Sequence, residues 1–264
     1  MKTSPSSNLD HRPNANSLSN HVALVTGASR GLGAGIAVEL GACGATVAVN
    51  YFASPAKADG VVAQIRGAGG RAESFAGDIR DPAQVSKLVE SVTAKLGPID
   101  ILVANATGPQ PMLPLEQLTW QHFLDQFEFF VKSPLLLTQA VIGGMKQRRA
   151  GRIIQIGSEV VALGNANFSS YVAAKGAQLA MTRSWARELA PWGITVNLVA
   201  PGWVPTERHA DVPKADLDAY AAGVPLKRHG TPNEIGQAVA FLASDAGAFI
   251  TGQRISVNGG NTLE

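Results

Sequence analysis

From His21 onward the chain repeats one pattern: a short, strand-like apolar run, a turn, then a segment whose apolar residues recur at helical spacing. This alternation constrains the fold more than any other feature. Strands linked through helices must cross over, and right-handed crossovers lay them parallel with helices on both faces. The runs are "HVALVTG", "ATVAVNY", "RAESFAGD", "IDILVAN", "GRIIQIGS", "ITVNLVAPG" and "RISVN". Several are near-continuous Val, Ile, Leu and Ala, as expected of strands covered on both sides. The expectation is an α/β fold, a doubly wound parallel sheet of about seven strands. No composition break marks a second domain, so residues 21–264 read as a single domain. The first twenty residues, rich in Ser, Asn and Pro, read as a flexible tail, with docking on a partner subunit as the alternative.

Ligands of such sheets bind at the carboxyl ends of the strands, beside the reversal of strand order. "VTGASRGLGAG" places Gly27, Gly31 and Gly33 between the first strand and the first helix. Glycine lets the backbone turn sharply and approach a pyrophosphate, while free amides at the helix start favour its charge. A net charge of +2 from scattered Lys and Arg lacks the basic stripe of a nucleic-acid binder. The tail has no apolar run suited to a signal peptide or a membrane span. With one cysteine, Cys43, neither an internal disulfide nor a cysteine-pair metal site is available, and the cytoplasm is the expected compartment.

In "SSYVAAKGAQLAM" Tyr171 and Lys175 stand four apart and share a helix face. An ammonium near a phenol favours the phenolate, lowering a pKa that is ordinarily about 10 toward a value useful for acid/base work. Ser158, thirteen residues before Tyr171 at the end of a strand, can orient a substrate oxygen.

Taken in order, these motifs resemble the short-chain dehydrogenase/reductase family, whose first turn has the spacing T-G-x-x-x-G-x-G. The chain looks similar to its single-domain members, such as 3-oxoacyl thioester reductases and glucose-dehydrogenase-like enzymes. The resemblance implies a Rossmann-type catalytic domain in which Tyr171 is the acid/base, Lys175 its electrostatic and ribose-binding partner, and Ser158 the carbonyl orienter. It assigns the cofactor to Gly27, Ser29, Arg30, Gly31, Leu32 and Gly33 of the first loop, and to Asn50 and Tyr51 after the second strand. Asp78 and Ile79 of "GDIRD", Asn105 of "ANAT", and Pro201, Gly202, Val204 and Thr206 of "PGWVPT" complete the set. It also implies a homotetramer.

Three departures stand out. Thr107 follows Asn105-Ala106 where relatives carry glycine, so that loop should run differently. Phe130 occupies the position at which many relatives place an asparagine that anchors a water in a proton relay, and the stretch from Trp120 to Phe130 looks about three residues longer than usual. Its phenylalanines read equally as core or interface packing. No carboxylate ends the second strand at Asn50, Tyr51 or Phe52, and Arg30 can supply charge for a 2′-phosphate, so NADP(H) is expected, with NAD(H) possible. The basic residue often found after that strand in NADP-preferring relatives is replaced by Phe52.

The segment from Glu207 to Gly230 reads as a lid, with Trp203, His209 and Tyr220 as candidate substrate contacts and His209 read mainly as a solvated loop residue. No Arg/Lys cluster was expected beside it, which favours a mostly neutral ketone, aldehyde or acyl thioester. The expected reaction is hydride transfer between a nicotinamide and a small carbonyl or secondary alcohol. The alternative is a nicotinamide-binding regulator with little turnover.

Overall fold

The computed structural model describes residues 16–263. Seven strands, β1 (Val22–Val25), β2 (Thr46–Tyr51), β3 (Arg71–Ala76), β4 (Ile101–Ala104), β5 (Gly151–Ile156), β6 (Ile194–Pro201) and β7 (Arg254–Val257), form one sheet. Its order is β3-β2-β1-β4-β5-β6-β7, and every pair is parallel. The order reverses between β1 and β4, which opens the crevice at their carboxyl ends.

The helices are α1 (Gly31–Ala42), α2 (Pro55–Gly67), α3 (Pro82–Leu96), α4 (Trp120–Phe127), α5 (Ser133–Arg148), α6 (Val160–Leu163), α7 (Ser169–Leu189), α8 (Lys214–Gly223) and α9 (Pro232–Ala243). Strand side chains alternate between two core layers. Ala23 and Val25 of β1 pack with Ile36 and Leu40 of α1 and Ile235 and Val239 of α9. Val22 and Leu24 face the other layer, with Val85 of α3, Leu137 of α5 and Leu189 of α7. Each such large side chain contributes about 1.5–3 kcal/mol when fully buried. Small residues let α1 and α9 approach closely: a Cβ at Gly35 would lie 2.5 Å from Pro232, and one at Gly236 would lie 2.8 Å from Glu39.

One expectation is corrected. The tail boundary at residue 20 falls too late, because Leu18 is fully buried and its amide donates to the Cys43 carbonyl at 2.9 Å. Leu18 therefore belongs with the core, while residues 1–15 of the expected tail lie outside the described residues. The over-long stretch from Trp120 is not a plain α-helix. Between α4 and α5 residues Glu128–Lys132 form a π-helical segment, in which the Ser133 amide reaches back five residues to the Glu128 carbonyl. The Ser133 hydroxyl donates to the same carbonyl at 2.6 Å. A π turn absorbs an extra residue without ending the helix, which accommodates a stretch that reads as over-long.

Candidate active site

The glycine loop is closed from behind. Gly27 and Gly31 have φ of 61° and 58°, a region open to glycine at little cost. A Cβ at Gly33 would lie 2.4 Å from the Gly27 carbonyl oxygen, so a side chain there would fill the turn. Asn50 Oδ1 accepts from the Gly27 amide at 3.3 Å, and its Nδ2 donates to the Tyr51, Phe75 and Gly77 carbonyls. Asn105 Nδ2 donates to the carbonyls of Thr26 and Gly27 at 2.9 and 3.3 Å. Both asparagines thus brace the loop. This differs from the contact expected of Asn50, whose amide is 2% exposed and fully engaged.

The face left open is the start of α1, where Arg30 is the N-cap, no side chain caps the amides, and the first turn holds no acid. Ser29 and Leu32 are partly exposed beside it, and Thr206 lies 3.6 Å from a Cβ placed on Gly31. A pyrophosphate fits this cradle: glycine leaves the room, and uncapped amides and the helix dipole supply the attraction. Ile79 and Val204 are buried as parts of the core, so only their backbones can serve a ligand. Pro201 ends β6, and at Gly202 a Cβ would lie 2.7 Å from the Tyr220 hydroxyl.

Just after β3, Asp78 is not a free carboxylate. Arg80 donates to it through Nε at 2.9 Å and Nη2 at 2.6 Å, holding the Asp78 carboxyl below its ordinary range. The Arg80 guanidinium also lies over the rings of Phe52 (5.6 Å) and Phe129 (4.9 Å). A cation absent after β2 in the sequence is therefore supplied in space from the β3 loop. Its only sequence signal was the Asp-x-Arg spacing in "GDIRD".

Ser158, just after β5, meets Tyr171 and Lys175 of the first turns of α7, and Ser158 and Gln110 both favour the Tyr171 anion. The expected depression of the tyrosine is overturned: burial pushes its pKa up to about 12, against opposing contributions from Ser158, Arg208 and Gln110. Lys175 does not offset this burial. Its Nζ turns to the Ile156 carbonyl at 2.6 Å and Gln178 Oε1 at 3.1 Å, and burial holds it well below the ordinary lysine range. Phe168 stacks on the Tyr171 ring at 4.7 Å and Phe130 meets it edge-on at 5.3 Å.

The Thr107 hydroxyl accepts from Gln110 Nε2 at 3.0 Å, on the residue that also acts on Tyr171. Phe129 packs so tightly on Gly108 that a Cβ there would lie 2.2 Å from its ring. The lid also carries a cation that the sequence reading did not place at the cleft. Arg208 donates to the Gly108 carbonyl at 3.0 Å and lowers the proton affinity of Tyr171, so the cleft wall is not purely apolar.

Of the expected lid contacts, Tyr220 is an anchor. Its hydroxyl donates to buried Glu159 at 2.6 Å and accepts from the Trp203 amide at 2.8 Å, and its ring stacks on His229. His209 is a capping group that accepts from the Thr206 amide at 3.1 Å, and burial lowers its pKa. Gln110, Arg80 and Arg208 went unassigned in the sequence because each meets the site through a distant segment or an ordinary loop, and Gln178, three residues from Lys175 on α7, because helical spacing alone does not show that the pair is buried.

A doubly wound sheet with Ser, Tyr and Lys gathered at its carboxyl edge defines a class of nucleotide-dependent oxidoreductases. Comparison with known proteins makes this specific: the chain belongs to the short-chain dehydrogenase/reductase family and is an enzyme of that type. A family model described as enoyl-(acyl carrier protein) reductase matches residues 27–262. The 3-oxoacyl-[acyl-carrier-protein] reductase of Staphylococcus epidermidis is 38% identical over 243 residues, covering 91% of this chain and 98% of that protein. The enzyme of that description from Pseudomonas aeruginosa is 39% identical over 244 residues, covering 92% and 98%. Among solved structures, a Serratia marcescens short-chain dehydrogenase/reductase double mutant superposes with a TM-score of 0.86 at 33% identity, covering 94% of this chain and 100% of that one. The promiscuous reductase LugOII, which catalyses keto-reduction at C1 during lugdunomycin biosynthesis, matches with the same score and coverage at 36% identity.

Proposed function

We propose that the enzyme reduces a carbonyl of a small substrate to a secondary alcohol, reversibly and with NADPH. The carrying observation is that Ser158, just after β5, acts on Tyr171 of α7 and favours its anion, which brings two hydroxyl-bearing side chains to one place. Two donors converging on one oxygen suit a carbonyl that becomes an alkoxide, and preorganised donors to developing charge are a large source of rate. That favours C=O over the C=C reduction in the family model's description.

A bound nicotinamide would supply the hydride. Tyr171 Oη, held protonated by burial, gives its proton to the substrate oxygen, and Ser158 Oγ orients that oxygen. Lys175 sits one helical turn from Tyr171, with its Nζ held by the Ile156 carbonyl and Gln178. The lid from Glu207 to Gly230, pinned through Tyr220 and Arg208, excludes water. Pro201, Gly202 and Thr206 border the nicotinamide end, and Asp78, Ile79 and Tyr51 the adenosine end, where Asp78 acts through its pairing with Arg80.

Preference for NADP(H) is supported by Arg30, exposed at the open helix start, and by Arg80 beside Phe52, with no carboxylate at the end of β2. Replacing Arg30 by Ala should weaken NADPH by about tenfold, the ~1.4 kcal/mol of a charge-assisted contact, and NADH much less. Equal losses for the two cofactors in a fluorescence titration would remove the 2′-phosphate contact. Similarity to reductases of 3-oxoacyl carrier-protein thioesters puts a β-keto thioester first among substrates, with a free ketone or quinone second. Assignment to the cytoplasm belongs to the same proposal. Among the described residues no helix is long and apolar enough to cross a membrane.

The test is oxidation of NADPH and NADH, followed by absorbance, against β-keto thioesters, diketones, quinones, aldehydes and sugars, with Tyr171→Phe as the control. Turnover that needs the tyrosine supports the reading. Turnover retained by Tyr171→Phe would remove that residue from its role, and tight cofactor binding without turnover would favour a regulator.

A further inference from the structure

Lys175 is an ammonium almost wholly removed from water, at 4% exposure, and a buried cation must find partners for its protons. Two are accounted for by the Ile156 carbonyl at 2.6 Å and Gln178 Oε1 at 3.1 Å. The remaining direction is covered by the Phe130 ring, whose centroid is 3.8 Å from Nζ, a close cation–π contact. Gln178 is itself 1% exposed, and Phe130 is 2% exposed. The π-helical segment puts Phe130 on this face and is fastened by the bonds of Ser133 to the Glu128 carbonyl.

We propose that Gln178 is a positioning residue for the reaction. With the Ile156 carbonyl it fixes Lys175 Nζ beside Tyr171, while Phe130 seals that flank against water. This rests on the reading of Tyr171 and Lys175 as working residues. A glutamine suits the task because it accepts a hydrogen bond without adding charge, so it orients the lysine without drawing it into an ion pair.

The charged neighbours are otherwise occupied. Glu159, after β5, is bonded to Tyr220, Asn258 and Asn261. Glu128 of the π-helical segment pairs with Lys132 at 2.8 Å. Tyr171, on the helix of Lys175 itself, has its ring 5.7 Å from Nζ, and Arg208 of the lid acts on Tyr171. Among the described residues burial is the sole cause of the lysine's lowered pKa, so its state is set by this enclosure.

The test follows the ε-carbon of Lys175 by NMR in the ligand-free protein carrying ε-13C-lysine, with Lys175→Met to assign the signal. The variants are Gln178→Leu, Gln178→Glu and Phe130→Asn, each checked for fold by thermal melting. In the parent, Lys175 should titrate below the other lysines. Gln178→Glu should raise its midpoint by about one unit or more, as an adjacent carboxylate does, and Phe130→Asn should raise it by admitting water. With a substrate in hand, Gln178→Leu should lower kcat about tenfold with KM for the carbonyl little changed, and Gln178→Glu should recover turnover with a shifted pH profile.

A Lys175 midpoint unmoved in Gln178→Glu and Phe130→Asn, with an unaltered kcat profile, overturns the proposal. Gln178→Glu keeps the question answerable if the leucine variant fails to fold. Loss of turnover in Tyr171→Phe together with an unmoved lysine would sink this inference alone. A fully active Tyr171→Phe would sink the functional reading instead.

Discussion

Tyr171 is held in two opposed ways: burial strips water from its hydroxyl, while Ser158, Gln110 and Arg208 favour its anion, and burial wins with a pKa of about 12. The phenol therefore remains a proton donor through the neutral range. Carbonyl reduction should show no loss attributable to this group between about pH 6 and 9, whereas alcohol oxidation, which needs the phenolate, should rise with pH across that span. A pH–rate profile in both directions checks this. The sign for stability follows. The folded pKa lies above the unfolded value, so the contribution is fully present below about pH 10 and is lost as pH rises toward 12, amounting to roughly 3 kcal/mol. Tyr171→Phe should lack that part of the alkaline loss in denaturant titrations. At Gly33 the limit is space: a methyl group would meet the Gly27 carbonyl at 2.4 Å and Asn105 Nδ2 at 2.5 Å. Gly33→Ala should cost about 1–3 kcal/mol and weaken cofactor binding, read by melting and titration. The glycines and the Ser-Tyr-Lys trio were legible because their spacing carries their geometry. The roles of Gln110 and Gln178 were not, since nothing in "GPQP" or "KGAQ" says what lies opposite.

Elements were legible in proportion to their burial. All seven strands fall within their expected runs: the inner ones because a strand covered on both faces must be apolar almost throughout, and the edge strands β3 and β7, partly exposed and mixed in polarity, because turns bound them. The π-helical segment was invisible, since α and π turns draw on the same residues and differ only in which carbonyl an amide reaches. Helix α9 shows how an end is fixed. Thr231 Oγ1 accepts from the Glu234 amide at 3.3 Å, Glu234 accepts from the Thr231 amide at 2.8 Å, and Pro232 opens the helix. Thr231→Ala should cost about 1 kcal/mol in chemical denaturation. Arg228 and Thr231 hold the Glu234 carboxyl down to about 2, so the cap's contribution should persist in mild acid and disappear as pH falls from about 4.5 toward 2.

At the scale of the whole molecule, several large apolar side chains stand in solvent: Phe249 is fully exposed, and Leu226, Phe241 and Leu263 are exposed as well. They belong to the lid's far end, α9, the turn before β7 and the C-terminus, and β7 is an edge strand. Exposed apolar side chains mark an association surface where they lie together, and the homotetramer suggested by the resemblance is our proposal. Phe249→Glu should reduce the assembly's mass in light scattering and lower its melting temperature by a few degrees. A monomeric parent protein would remove the proposal.

By itself the sequence determined the parallel doubly wound sheet, the glycine turn between β1 and α1, and the Ser158, Tyr171 and Lys175 trio. Each follows from local periodicity or fixed spacing, and the family's ordered motifs reinforced them. Only the tertiary structure decided that Leu18 belongs to the core, that Arg80 occupies Asp78, that Arg208 reaches the cleft, and that Tyr171 is raised and Lys175 enclosed. Those outcomes depend on which distant segments exclude water from a group and which offer it a partner. Desolvation and pairing are properties of the folded surroundings, and spacing along the chain does not encode them.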